Sequence, residues 1–199
     1  TGEDTLSLHD ALPISLTVAS GNLTIQGSSL VGGIATPLAG SSATGSRYGF
    51  STAAAGDITV SGNISLAGTS VTFMGGYLLG DVLSTDGNVA LTGSGLYAMS
   101  LSAPVTAGTG ANPRTLTITT TGSNGYGLNT AAAAALSATG SIALTSYATT
   151  GVSGLAIAAP IRSTLRGDVV ISSYAGGVAG DHAFTLGAAL SAANGGITL

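Results

Sequence analysis

Few side chains in this sequence could do chemistry. Beyond residue 15 the carboxylates are Asp57, Asp81, Asp86, Asp168 and Asp181, the only histidine is His182, and the cations are Arg47, Arg114, Arg162 and Arg166. Cleaving a polysaccharide calls for clustered carboxylates, either as general acid and base or as ligands of a calcium ion. Asp81 and Asp86 are near enough in sequence to meet in a loop, and Asp181 adjoins His182. Arg162, Arg166 and Asp168 could form a small surface ion-pair cluster, worth about 0–1 kcal/mol. Cysteine is absent, which excludes a disulfide scaffold and thiolate metal sites. Four basic residues in 199 cannot neutralise many phosphates, so no nucleic-acid partner is expected. The plain reading of every aspartate is a solvated turn residue, and no catalytic, cofactor-binding or metal-binding residue is assigned.

The elements that carry these residues recur. A glycine turn followed by a short alternating strand appears as Gly21-Asn22-Leu23-Thr24-Ile25, Gly56-Asp57-Ile58-Thr59-Val60 and Gly87-Asn88-Val89-Ala90-Leu91. It continues as Arg114-Thr115-Leu116-Thr117-Ile118, Gly140-Ser141-Ile142-Ala143-Leu144, Gly167-Asp168-Val169-Val170-Ile171 and Gly195-Gly196-Ile197-Thr198-Leu199. The spacings are 35, 31, 27, 26, 27 and 28 residues. Alternation with β-branched residues predicts half-buried strands, and Gly-Asn or Gly-Asp predicts a sharp corner before each.

Weaker strands are expected between copies, at Leu155-Ala156-Ile157, at Pro160-Ile161, and within Asn129–Leu136 and Phe184–Leu190. Three strands and three corners in about 27 residues suit one coil of a parallel β-helix, whose single coil cannot bury its apolar face until others stack on it. The expected fold class is therefore all-β, a parallel β-helix of about seven coils, roughly 30 Å long at about 4.8 Å per coil. Ala131–Ala135 favours helix intrinsically but is too short to stand alone. A β-sandwich would not return the same unit at every third strand. The two longer intervals predict bulging loops at about Gly32–Ala55 and Thr69–Asp86, where binding would reside.

This frame decides the candidates. Asp57 and Asp168 occupy one corner position four coils apart, roughly 19 Å by the coil spacing, beyond the about 5–9.5 Å of glycosidase pairs. The corners vary among Asp, Asn, Ser and Gly, so no acidic column for calcium forms. Thr115, Thr117 and Thr119 hint at an ice-binding array, but the outward column Thr24, Thr59, Ala90, Thr117, Ala143, Val170, Thr198 is interrupted. Tyr147 and Tyr174 are placed to stack on adjacent coils. Asn22-Leu23-Thr24 and Asn63-Ile64-Ser65 match glycosylation sequons, a coincidence to expect in so Ser/Thr-rich a chain. No apolar run approaches the about 20 residues of a membrane helix, and the chain lacks the aromatic girdles of an outer-membrane barrel, with no Trp and 5% aromatics.

Thr5–Ile14 departs from the pattern and resembles one translated reading frame of a common short-read sequencing adapter. Residues 1–15 are accordingly expected to be non-native, and 16–199 to be a β-solenoid fragment of a larger passenger domain cut at both ends. Removing Glu3, Asp4 and Asp10 changes the formal charge from −4 to about −1.

The Gly–Asp/Asn–aliphatic–x–aliphatic units, spaced by Ser/Thr/Ala/Gly segments with little charge, resemble the passengers of bacterial type V secreted proteins. These are the autotransporters and the filamentous-haemagglutinin-type adhesins. The resemblance implies a right-handed parallel β-helix stalk, secreted across the outer membrane and displayed or shed. Its implied partners are a host or neighbouring cell surface, a glycan or matrix, and an outer-membrane translocator; no cofactor is implied. The function expected is structural or adhesive, without enzymatic activity. The alternatives are a polysaccharide-binding or polysaccharide-cleaving β-helix and, less so, an ice-binding solenoid.

Overall fold

The computed structural model describes residues 15–29, 48–54, 56–150, 153–176 and 182–199. All regular structure in them is β, in three parallel sheets through which the chain passes in rotation. The first sheet holds seven short strands, Leu16–Val18, Ile58–Val60, Val82–Ser84, Val105–Ala107, Leu136–Ala138, Ile161–Ser163 and Leu190–Ala192. The second, long-strand sheet holds Leu23–Ser29, Ile64–Ser70, Val89–Gly95, Leu116–Gly122, Ile142–Ala148, Val169–Ala175 and Ile197–Thr198. The third holds Tyr48–Ser51, Met74–Leu78, Tyr97–Leu101, Tyr126–Thr130, Ser153–Ile157 and His182–Leu186. The chain is a parallel β-solenoid of about five turns with a repeat of about 27 residues.

The core follows from alternation. In each coil the first and third residues of the long strand point inward, giving the columns Leu23-Ile64-Val89-Leu116-Ile142-Val169 and Ile25-Leu66-Leu91-Ile118-Leu144-Ile171. From Ile64 and Leu66 onward these columns are buried. The short strands add Ile58, Val82, Val105, Leu136 and Ile161, and the third sheet adds Phe50, Met99, Leu128 and Leu155. Each coil thus buries its apolar side chains within itself and against the adjoining coils, as the solenoid expectation requires.

The second copy of the sequence repeat belongs elsewhere. Ile58–Val60 lies in the short-strand sheet, paired with Leu16–Val18 and Val82–Ser84. The partner of Leu23 is Ile64, so the long-strand copy is Gly62-Asn63-Ile64-Ser65-Leu66. Long-strand intervals are then 41 residues from Leu23 to Ile64 and 25, 27, 26, 27 and 28 thereafter. The error has a physical source: both corners use a glycine, an acidic or amide residue and an alternating strand. The expected bulge over Thr69–Asp86 is absent, since that segment carries Met74–Leu78 and Val82–Ser84 in ordinary register. Of the Gly32–Ala55 loop, residues 32–47 and 55 lie outside the described residues, and Tyr48–Ser51 is a regular strand.

Leu155–Ile157 and Ile161 fall on strands as expected. Asn129–Leu136 and Phe184–Leu190 each straddle a corner and two strands. Ala131–Ala135 is that corner, a tight turn closed by the Ala134 N–H donating to the Ala131 carbonyl at 3.0 Å. Helix propensity loses there because five residues cannot offset nucleation. Among the described residues no helix is long and apolar enough to cross a membrane.

Candidate functional site

Among the described residues, polar side chains at the corners tie successive coils together. At the corner entering the long-strand sheet, Asn22 Oδ1 accepts from the Asn63 backbone N–H, Asn63 Oδ1 from Asn88, and Asn88 Oδ1 from Thr115, at 2.8, 2.8 and 2.9 Å. Higher in the stack Ser141 Oγ accepts from the Asp168 N–H at 3.2 Å, and Asp168 Oδ1 from Gly196 at 2.8 Å. Backbone bonds run the other way, from the N–H groups of Leu23, Ile64, Val89, Leu116, Ile142 and Val169 to the corner carbonyl of the next coil. Every corner step but Thr115 to Ser141 is therefore tied in both directions. This explains why Asp, Asn and Ser interchange there: each supplies one acceptor oxygen at the same reach. The two sequon asparagines, Asn22 and Asn63, serve as such acceptors.

The aspartates do not gather as the sequence pairing implied. Asp57 shares no corner with Asp168; it sits before the short-strand sheet, where its Oδ1 accepts from the Asp81 N–H of the next coil at 3.0 Å. Burial, and then the Asp57 carboxylate, push the Asp81 carboxyl up. Asp86 turns to Arg114, not to Asp81. The Arg114 Nη2 and Nε donate to Asp86 Oδ1 at 2.7 and 3.1 Å, and Asn112 Nδ2 reaches the same oxygen at 3.4 Å. These hydrogen bonds and the Arg114 charge hold the Asp86 carboxyl below its usual range. This is the salt bridge of the described residues, so the expected cluster of Arg162, Arg166 and Asp168 does not form. Asp181 and the side chain of His182 lie outside the described residues. Among those described, no three His, Cys, Asp or Glu gather in a metal-holding group.

The outward columns of the long-strand sheet are also revised. The first is Thr24-Ser65-Ala90-Thr117-Ala143-Val170-Thr198, with Ser65 in place of Thr59. The next is Gln26-Ala67-Thr92-Thr119-Thr145-Ser172, whose hydroxyl run spans four coils. Beside it Tyr147 and Tyr174 are register neighbours, their centroids 6.3 Å apart and tilted by 44°. The two rings are adjacent as expected but tilted rather than stacked, and their bulk interrupts the flatness an ice-binding face would need.

A second aromatic cluster escaped the sequence reading. Tyr48 stacks on Tyr77 at 5.3 Å and meets Phe73 edge-on at 5.5 Å; Phe73 in turn meets Tyr97 edge-on at 5.5 Å. Beside the third sheet, Phe73, Met74, Tyr97, Met99, Ser100, Tyr126 and Asn129 line a groove of about 280 Å³. Gly125 leaves room for Tyr97: its φ is +103°, and a Cβ there would lie 2.3 Å from the Tyr97 ring. One signal could have found the groove. Tyr48, Phe73, Tyr97 and Tyr126 follow one another at 25, 24 and 29 residues, close to the coil repeat.

Compared with protein-family models, with curated proteins and with solved structures, the chain gives no match.

Proposed function

We propose that this chain is a structural and adhesive β-helical stalk segment of a secreted bacterial surface protein, displayed or shed across the outer membrane, with no chemistry of its own. In this reading the rod is right-handed and has about seven coils. The right hand is favoured by the general handedness of parallel β crossovers, and the coil number by the seven strands in each of two sheets. One observation carries the stalk reading: the Asn, Asp and Ser residues best placed for chemistry, at the corners, are committed to the backbone of the adjoining coil. A side chain so engaged contributes cohesion, not catalysis. Partners would be a host or neighbouring-cell surface, glycan or matrix, together with an outer-membrane translocator.

Purified protein coated on a surface should retain cells or matrix while releasing no reducing ends from soluble polysaccharides. Polysaccharide cleavage is a second reading, favoured by the Asp57 and Asp81 carboxylates on consecutive coils and the raised Asp81 carboxyl. Release of reducing ends that vanishes in Asp81→Asn would replace the stalk reading with it.

A further inference from the structure

We infer that the groove between Phe73, Met74, Tyr97 and Tyr126 is a binding subsite for a neutral saccharide, lying along three successive coils. The inference rests on the adhesive reading of the rod and gives it a ligand class. Met74 pairs in register with Tyr97, and Ser100 with Asn129, so the groove crosses from coil to coil and is not confined to one loop. Tyr97 and Tyr126 remain 36% exposed beside it, while Met99 is buried at its base.

The lining selects the ligand. Among the described residues no charged side chain borders the groove, so none of them would compensate an anionic or cationic group. Aromatic rings present flat apolar faces that suit the C–H face of a pyranose. Among the described residues the side chains of Ser100 and Asn129 and the hydroxyls of Tyr97 and Tyr126 have no hydrogen-bond partner. Their hydroxyls and amide offer donors and acceptors together, the complement of sugar hydroxyls. A few convergent polar groups in a largely apolar concavity are the usual form of a small-ligand site. A purely apolar partner would leave the Asn129 amide dehydrated without a bond, at a cost. The parallel sheet below, with Phe73 packed edge-on against Tyr97, provides the preorganisation that weak sugar contacts require.

The test is calorimetric titration with neutral hexasaccharides of β-linked glucose, galactose and N-acetylglucosamine. Sialylated and sulfated oligosaccharides, a phenylalanine-containing peptide and neutral lipid vesicles serve as controls. At least one neutral hexasaccharide should bind, with affinity reduced about tenfold in Tyr97→Ala and in Tyr126→Ala. Asn129→Ala, which breaks no bond within the fold, should weaken binding about fivefold at an unchanged melting temperature. Absence of saccharide binding, equal binding by all three variants, or preference for the anionic sugars, the peptide or the vesicles would overturn the inference. Cell adhesion measured on the same preparation separates the two readings. Adhesion without saccharide binding removes the groove and leaves the stalk, whereas saccharide binding without adhesion does the reverse.

Discussion

The seam between the long-strand sheet and the third sheet is built in two ways. At the fifth position of the long strand, the lower coils carry Gly27, Gly68 and Gly93, and the upper coils Thr120, Ser146 and Ser173. A Cβ on Gly68 would lie 2.0 Å from the Gly75 carbonyl oxygen and 2.5 Å from Phe50 Cδ1; one on Gly93 would meet Met99 Cε at 3.0 Å. Below, long side chains from the third sheet reach across and the facing strand yields its side chain. That column runs Phe50, Gly76, Met99, Leu128, Leu155 and Phe184, so two leucines follow Met99 before an aromatic ring returns at the upper end. Opposite the leucines, hydroxyls take the place of glycine. Thr120 Oγ1 donates to Ser146 Oγ at 2.9 Å, Ser146 Oγ donates to the Gly154 carbonyl at 2.5 Å, and Ser173 Oγ donates to the Ala183 carbonyl. One backbone geometry thus admits two solutions, steric interlock or buried hydrogen bonding, and neither half can borrow the other's residue.

The most disruptive change should be Ile171→Asp in the upper half. It places a carboxylate in the core with no cation to meet it, a loss of more than about 3 kcal/mol. Hydrogen exchange should show lost protection around Ile142–Ala148 and Val169–Ala175, while Ile64–Ser70 stays protected, because coils are coupled only to neighbours. Gly68→Ala should come next, about 1–3 kcal/mol from overpacking, with loss of protection confined to the lower coils. Uniform loss in either variant would abolish the distinction between halves. Ser146→Ala should cost about 1–2 kcal/mol in urea melts, since it strands the Thr120 hydroxyl and the Gly154 carbonyl. If it proves neutral, the upper seam is held by packing alone.

Asp168→Asn should change stability by less than about 0.5 kcal/mol, because the amide oxygen can still accept from Gly196. The smallest effect concerns acid. Asp86 has a lowered carboxyl, so its contribution exists above the unfolded value of about 3.9 and is lost as pH falls through the folded value. Asp81 is raised, so its contribution has the opposite sign and is lost as pH rises. Asp86→Asn should therefore flatten the acid limb of a melting-temperature profile, and Asp81→Asn should flatten the rise in the other direction.

The period, the alternation and the solenoid they imply were legible because every coil spends its aliphatic residues alike. Leu116, Ile118, Ile142 and Leu144 announce their own column. Sheet identity was less legible: Gly56-Asp57-Ile58 and Gly62-Asn63-Ile64 have the same local chemistry. Only the strand length that follows, three residues against seven, separates them. The corner ladder was read as turn preference, since a single sequence does not reveal that Asn63 Oδ1 reaches Asn88 until the two coils are aligned. The groove had one cue, the near-coil spacing of Phe73, Tyr97 and Tyr126, but that Met74 lies beside Tyr97 and Ser100 beside Asn129 shows only in the register.

The reciprocal ties at the corners make length an adjustable quantity. At the Asn, Ser and Asp corners a side-chain oxygen accepts from the coil above, and at every corner from Asn63 to Gly196 a carbonyl accepts from the coil below. Removing residues 89–115 would excise one strand from each sheet and join Asn88 to Leu116, leaving the Asn88 oxygen facing the corner before Ile142. The same splice run in reverse would add a course. Such a rod can be shortened or extended between generations by unequal exchange of coil-sized segments, like a ruler cut only at its marks, with neither neighbour required to change.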